Sequence, residues 1–269
     1  VPTYAATQPY ATAAEFNNYP TGVNSYEIIP GASQQVLADT LAQLLIQASS
    51  EADGICNQVL ACTTEVEFGR RRVDASGFLW VPTNQFPIVE VDALSAGVPG
   101  QMSLFSDLSQ GAFPSRNTFR IPYNGATDSG WVDTQITYLA GYANGLLASP
   151  VSAGASSLVL TSVLGVQPGI GLRIYDPGSS ETVTVASVAG STITLAAPLA
   201  FNHAVGTGVS AMPAAIREAV ILLTAVKIKA RASESTELSS LSGGVSEKPD
   251  TQPEQFEAAM DLLAPFVRV

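Results

Sequence analysis

The sequence predicts an α+β protein: a helical core with a small antiparallel sheet, plus an inserted all-β module of barrel or sandwich type. Three observations lead there. Apolar residues recur every three or four positions over 37–59 and again over 216–226, the mark of a helix with one buried face. Between Thr63 and Ala140 the pattern changes to alternation, the period of a half-buried strand. From 149 to 211 short runs of Val, Ile, Leu and Thr are broken by Gly and Pro, and the only charged residues are Arg173, Asp176 and Glu181. Evenly spaced short strands indicate a small barrel or sandwich.

Composition narrows the function classes. Hydrophobic residues make up 46% of the 269 and charged residues 13%, against a usual ~25% charged, so much of the surface is bland or covered by neighbours. The formal net charge of −11 argues against a general nucleic-acid binder, which needs clustered Lys and Arg. Cys56 and Cys62 fall within the expected first helix, on different faces, so a local disulfide is not expected and reduced thiols are. No apolar run reaches the ~20 residues that span a bilayer. The opening residues lack the basic and apolar regions of a signal peptide. The expectation is a soluble chain without a visible export signal.

The elements follow in order. Residues 1–30 scatter Tyr4, Tyr10, Phe16, Tyr19 and Tyr26 among Ala, Thr, Asn and Pro; this arm is either disordered or laid on a neighbouring subunit. After the Pro30-Gly31 turn signal, Ser33 caps a helix whose stripe is Leu37, Leu41, Leu44, Ala48, Ala52, Ile55 and Val59. That helix is expected to measure ~40 Å at 1.5 Å per residue, with Gly54 weakening its interior. "TTEVEFGRRRVDASGFLWVP" reads as two strands around an Asp74–Gly77 turn, and "FPIVEVDALSAG" as another. "QMSLFSDLSQGAFPSRNTFRIP" and "GWVDTQITYLAGY" complete the small sheet.

After the β-rich block, Pro213 opens a second long helix with Ile216, Val220, Leu223 and Val226 inward. Lys227, Lys229 and Arg231 sit near its C-terminal end, where the helix dipole favours cations. "SESTELSSLSGGVSEKPDTQ" has linker composition. A last helix begins near Pro253, with Phe256, Ala259, Met260 and Leu263 on one face and Glu254, Glu257 and Asp261 on another. The expected organisation is an arm over 1–30, a core of 31–148 with 212–232, an inserted β-domain over 149–211, and a linker with a terminal helix over 233–269.

Chemistry-bearing patterns are few. His203 is the single histidine, expected as a surface or turn residue rather than a ligand or base. No metalloprotease, paired-cysteine, nucleophile-elbow or phosphate-loop motif is present. "GVQPGIG" (165–171) has the glycines of a phosphate loop but leads into a strand, so the helix N-terminus is missing. Asp128 and Asp133 flank Trp131, the arrangement of a sugar-binding platform; the expected placement is a strand start with the indole in the core. "FGRRRVD" is the one dense basic run. As a strand it puts Arg70 and Arg72 on one face and Arg71 on the other, and salt bridges to a neighbouring subunit or to the chain's own carboxylates are favoured over a nucleic-acid clamp.

The order of elements, with the particular segments 44–97 ("LLIQASSEADGICNQVLACTTEVEFGRRRVDASGFLWVPTNQFPIVEVDALSAG"), "ITYLAGY" and "PAAIREAVILLTAVKIKARAS", resembles the head–tail connector (adaptor) proteins of long-tailed bacteriophages. "ITYLAGY" and the helix from Pro213 are similar to two halves of one family signature, usually separated by a few residues. Here the β-rich block separates them, which makes 149–211 an insertion into a helical connector core.

The resemblance implies a non-enzymatic virion protein at the head–tail junction, made in the host cytoplasm. It implies a homo-oligomeric ring, twelve-fold by the family, that binds the portal protein on one side and a tail-completion or stopper protein on the other. Genomic DNA passes through the channel without sequence-specific binding, and no membrane, cofactor or metal is involved. A ring of copies at −11 each carries a field that discourages DNA from sticking. Arg70, Arg71, Arg72, Phe256, Met260 and Leu263 are the expected subunit or portal contacts. Two other classes stand beside this: a carbohydrate- or receptor-binding virion module on the β insert, with Trp131, Phe201 and Tyr175 as platforms, and a hydrolase using His203 with a nearby carboxylate.

Overall fold

The computed structural model describes residues 8–23, 29, 31–239 and 251–268. Tyr4, Tyr26, Pro30 and residues 240–250 of the expected linker lie outside the described residues. The chain divides into two compact units, residues 58–143 and residues 1–57 with 144–269.

The 58–143 unit is built from strands β1 (Thr63–Arg72), β2 (Phe78–Pro82), β3 (Ile88–Val98), β4 (Gln101–Leu104), β5 (Ala112–Ser115), β6 (Thr118–Pro122) and β7 (Trp131–Ala140). They form two antiparallel sheets, ordered β1-β7-β3-β4 and β2-β6-β5. β1 and β2 follow each other around the Asp74–Gly77 turn but are not ladder partners. β1 pairs β7 from Thr63↔Ala140 to Arg72↔Trp131, β2 pairs β6, and only an isolated Val73–Leu79 bridge joins them. Alternation then explains the core: inward-facing residues of β2, β3, β6 and β7, Leu79, Val81, Leu94, Phe119, Ile121, Val132, Ile136 and Tyr138, bury together, while β4 and β5 are exposed throughout. Gly141 (φ 108°) ends β7 where the backbone of Ala61 crosses; an added Cβ would lie 2.5 Å from the Ala61 carbonyl oxygen, so only glycine fits.

The other unit begins with α1 (Ala13–Asn18), opened by a capping box between Thr12 and Glu15, and α2 (Gln34–Cys56), capped by Ser33 Oγ accepting from the Val36 amide. α2 is shorter than expected. Asn57 adopts the left-handed conformation (φ 53°) and its amide turns back onto the Asp53 and Gly54 carbonyls, which stops the helix before Val59 and Cys62. Next come β8 (Asn144–Leu146), β9 (Ser157–Val159), β10 (Gly171–Tyr175), β11 (Glu181–Ala189), β12 (Thr192–Leu195) and β13 (Gly208–Ser210), then α3 (Ala214–Ser239) and α4 (Thr251–Leu263). α3 therefore continues into the stretch with linker composition.

The six strands pair in the order β8-β13-β10-β11-β12-β9. The two ends meet through the Leu147–Leu160 bridge, where the Ala148 amide donates to Val159 O (2.8 Å) and the Thr161 amide to Leu146 O (2.9 Å). The sheet curls on itself around Leu158, Leu172, Ile174, Val185, Ile193 and Val209, all buried. β8 lies before the 149–211 block and belongs to the same sheet. α2, α3 and α4 pack with one another, and Lys227 of α3 pairs with Glu51 of α2 (2.6 Å).

This corrects the expected fold class. The protein is mostly β, with thirteen strands in three antiparallel sheets against four α-helices among the described residues; it is not a helical core carrying one small sheet. The physical reason is that alternation over 63–140 supplies two sheets able to bury a core against each other, which the pattern of single strands does not reveal.

The arm aromatics also differ from expectation. Tyr10 and Phe16 are buried within their own unit. The Tyr10 amide donates to Ser49 Oγ (2.9 Å), and its hydroxyl donates to Asp53 Oδ1 (2.7 Å). Tyr19 bonds Glu218, a contact that lifts its phenol to about 12.

Candidate functional site

β1 is the edge of its sheet, and strand geometry sends Thr64, Val66, Phe68, Arg70 and Arg72 outward together. Phe68 is 69% exposed and Val66 50%, so two large apolar side chains stand in water beside two guanidinium groups. Arg70 pairs with Asp128 (2.5 Å), one of the chain's own carboxylates. Arg71 points the other way: its guanidinium lies over Gly69 and donates to Pro82 O (3.2 Å). Trp131, opposite Arg72 in register, is not in the core but 42% exposed. It occupies the first strand position, one residue before inward Val132, and parity therefore sends the indole out.

Arg70, Arg71, Arg72, Asp74, Trp80 and Trp131 line a shallow groove of about 590 Å³. Trp80 is fixed there by donating Nε1–H to Asp74 Oδ2 (2.8 Å), and its ring carries the Arg120 guanidinium at 5.4 Å. The Asp74 carboxyl is held below its ordinary range, first by the Phe78 amide and then by Trp80.

On α4 the apolar row splits. Leu263 is buried in its own unit, its carbonyl facing Cys56 Sγ (3.9 Å), and Ala259 is buried beside it on the helix. Phe256 and Met260 stay exposed, next to exposed Glu254, Glu257 and Asp261.

His203 is not a surface residue. Its side chain is fully enclosed, with Nδ1 3.0 Å from Asp176 Oδ2 and Nε2 2.9 Å from Glu181 Oε1. Glu181 also accepts the Ala200 and Phe201 amides (2.9 and 3.1 Å). Burial works to raise its carboxyl, but these donors outweigh it and hold the group below its usual range. Both ring nitrogens are spent on carboxylates, which makes the trio a cross-link joining the β10–β11 turn to the 200–203 loop and leaves no nitrogen for a substrate. Sequence spacing gave no sign of it, because the three residues meet only through the curl of the sheet.

A second network was likewise missed. Arg217 of α3, 3% exposed in its side chain, forms a two-pronged pair with Glu15 of α1 (Nε–Oε1 3.0 Å, Nη2–Oε2 2.5 Å). Its guanidinium stacks on Tyr175 at 3.8 Å and donates to Asn144 Oδ1 (3.3 Å). Gly208 makes room: an added Cβ would lie 2.7 Å from Arg217 Nη2. The Thr-x-x-Glu spacing of Thr12 and Glu15 was the available signal, marking a helix start though not the partner. Tyr175, held between Arg217 and Arg173, is not an open platform; Phe201 is exposed.

Cys56 and Cys62 are free and buried, each thiol pushed up to about 12 by burial first and a nearby aspartate second. Among the described residues no three His, Cys, Asp or Glu side chains are grouped to hold a metal ion, and no helix is long and apolar enough to cross a membrane. No family model matches the chain, and no curated protein sequence is significantly similar to it.

Proposed function

We propose that the chain is a non-catalytic structural subunit that assembles as a ring at the head–tail junction of a virion, linking capsid to tail around the DNA channel. The observation that carries the assembly reading is the outward row of β1. Val66 and Phe68 are large, apolar and exposed on a regular ten-residue edge strand, and such a surface calls for a protein partner. Arg70 and Arg72 continue the row, Arg70 being paired with Asp128 of the same chain, so what the row offers a partner is chiefly its apolar pair. The position in the virion rests on the resemblance of residues 44–97, "ITYLAGY" and the helix from Pro213 to phage connectors. On this reading the partners are other copies of the chain, the portal protein and a tail-completion or stopper protein, and DNA passes without sequence-specific contact.

Electron microscopy of the parent particle and of the purified protein tests this. Annular density at the neck that accommodates this fold is the expected result. A particle whose neck lacks the protein, together with a chain that stays monomeric, overturns it.

A further inference from the structure

We infer that the free edge of β1 pairs with the free edge of β4 in a second copy of this chain, so that the sheet runs on from one subunit to the next. This contact rests on the ring reading above and names its interface. The order β1-β7-β3-β4 leaves β1 and β4 at opposite edges of one sheet. Every ladder in that sheet is antiparallel, so β1 and β4 run in opposite directions. A copy set edge to edge therefore brings β4 against β1 antiparallel, and the alternation of the sheet continues unbroken.

Backbone parity identifies the groups that are free to pair. The Val73 amide donates to Gly130 O (2.9 Å), in the same register that joins Arg72 to Trp131. Hydrogen-bonded pairs alternate along an antiparallel ladder, so Thr64, Val66, Phe68, Arg70 and Arg72 turn their N–H and C=O groups away from β7. Likewise the Phe105 amide donates to Leu94 O (2.8 Å), continuing the β3–β4 register, so Met102 and Leu104 turn theirs away from β3. Outside these ladders, no backbone hydrogen bond among the described residues involves Val66, Phe68, Met102 or Leu104.

The side chains agree with the backbone. Phe68 stands opposite Gln135, Gln135 opposite Ser95, and Ser95 opposite Leu104, and residues directly opposite each other share a face. Leu104 is 66% exposed and Met102 41%, so this face carries a large apolar pair at each edge. One register engages both pairs: Val66 opposite Leu104 and Phe68 opposite Met102, each exchanging both N–H···O bonds at a Cα separation of ~5.5 Å. Glu67 then faces Ser103 and Glu65 faces Phe105. Arg70, with its Asp128 partner, falls opposite Gly100 in the turn before β4, and the pairing asks nothing of its charge.

The alternative of β1 pairing with itself is worse. Registers centred on Val66 or Glu67 set Glu67 against a glutamate of the copy, and like charges directly opposite are destabilising. The register centred on Phe68 sets the Arg70 guanidinium on Val66. β4, with the sequence QMSL, carries no charge and meets neither difficulty. The contact joins two different edges, so it is head-to-tail and closes into a ring when its rotation permits.

Sedimentation velocity on the full chain over a concentration series compares the wild type with Phe68→Lys and Leu104→Lys, with far-UV circular dichroism as a folding control. The expected result is a self-associating wild type and at least ~tenfold weaker association in each variant, because an ammonium then meets an apolar partner. Cross-linking identifies the partner strand and decides the matter should a lysine variant unfold. Chains carrying Phe68→Cys and chains carrying Met102→Cys are treated with a short bis-maleimide, separately and mixed, and read by intact mass. Cys56 and Cys62 are buried, with thiols pushed up to about 12, and stay out of the reaction. The mixture should give heterodimers, and each variant alone should stay unlinked. A wild type that associates while the lysine variants associate equally, a mixture without heterodimer, or a link within the Phe68→Cys chains alone overturns the β1–β4 pairing and leaves the ring reading standing. A wild type that is monomeric at every concentration overturns the pairing and the assembly reading together.

Discussion

Replacing Glu15 by Gln is expected to loosen the N-terminal arm strongly, because it strands a buried cation. Arg217 is 3% exposed in its side chain and Glu15 10%, so the pair sits where water cannot take over. Breaking a buried pair from one side destabilises by ~3–5 kcal/mol. Two contacts survive and soften the loss: the Tyr175 ring at 3.8 Å, a cation–π contact of ~1–2 kcal/mol, and the Asn144 amide oxygen at 3.3 Å. The net expectation is about 3 kcal/mol. Gln retains an acceptor for the Thr12 amide, so the capping box remains and the loss reports the charge. Hydrogen exchange followed by mass spectrometry is the assay, because both units need not unfold together. At ~1.4 kcal/mol per tenfold, peptides spanning 8–19 should exchange about 150-fold faster. Arg217→Met combined with Glu15→Gln should lose less than the two single changes added together. A change below about fivefold in Glu15→Gln would place the pair with ordinary surface bridges and refute the reasoning.

The other predictions concern the β cross-link, a backbone crossing and the thiols. His203→Ala removes the group between Asp176 and Glu181 and should destabilise by about 3 kcal/mol, read by urea denaturation. Because the folded Glu181 carboxyl is held below its unfolded value, its contribution is present above the unfolded value near 4.5 and is lost as pH falls through the folded one. Thermal melts between pH 3 and 7 should show that acid loss, and Glu181→Gln should flatten it. Gly141→Ala forces a side chain into a left-handed position 2.5 Å from Ala61 O and should remove at least ~3 kcal/mol or prevent folding, as seen in soluble yield and denaturation. Cys56 and Cys62, with thiols near 12, should resist iodoacetamide at pH 8 in the native protein and react once it is denatured, measured by intact mass.

Local elements were legible where local physics decides them. Ser33 marks the start of α2, the leucine stripe its buried face, and alternation the strands from Thr63 to Ala140. Helix ends were less so: Val59 fits the periodic stripe, yet Asn57 turns left-handed and ends α2 before it. The arginine run divided as parity requires, Arg70 and Arg72 outward and Arg71 across. Trp131 is expected at a strand start with its indole in the core, but its position one residue before inward Val132 turns the ring outward. The α4 face was legible only in part, since Leu263 fits the same stripe as Phe256 and Met260 but packs inward against Cys56.

Sequence by itself determined what depends on neighbours a few residues away: periods, caps, turns, the outward parity of β1 and the acidic balance. Tertiary structure alone decided which strands pair, that β8 and β9 meet to close a curled sheet, and that the chain is sheet-built rather than helix-built. It also decided that His203 lies between two carboxylates and that Arg217 finds Glu15 across 202 positions. The reason is that a strand's pattern specifies a face but not a partner, and a charged residue's burial depends on what the distant chain brings to it.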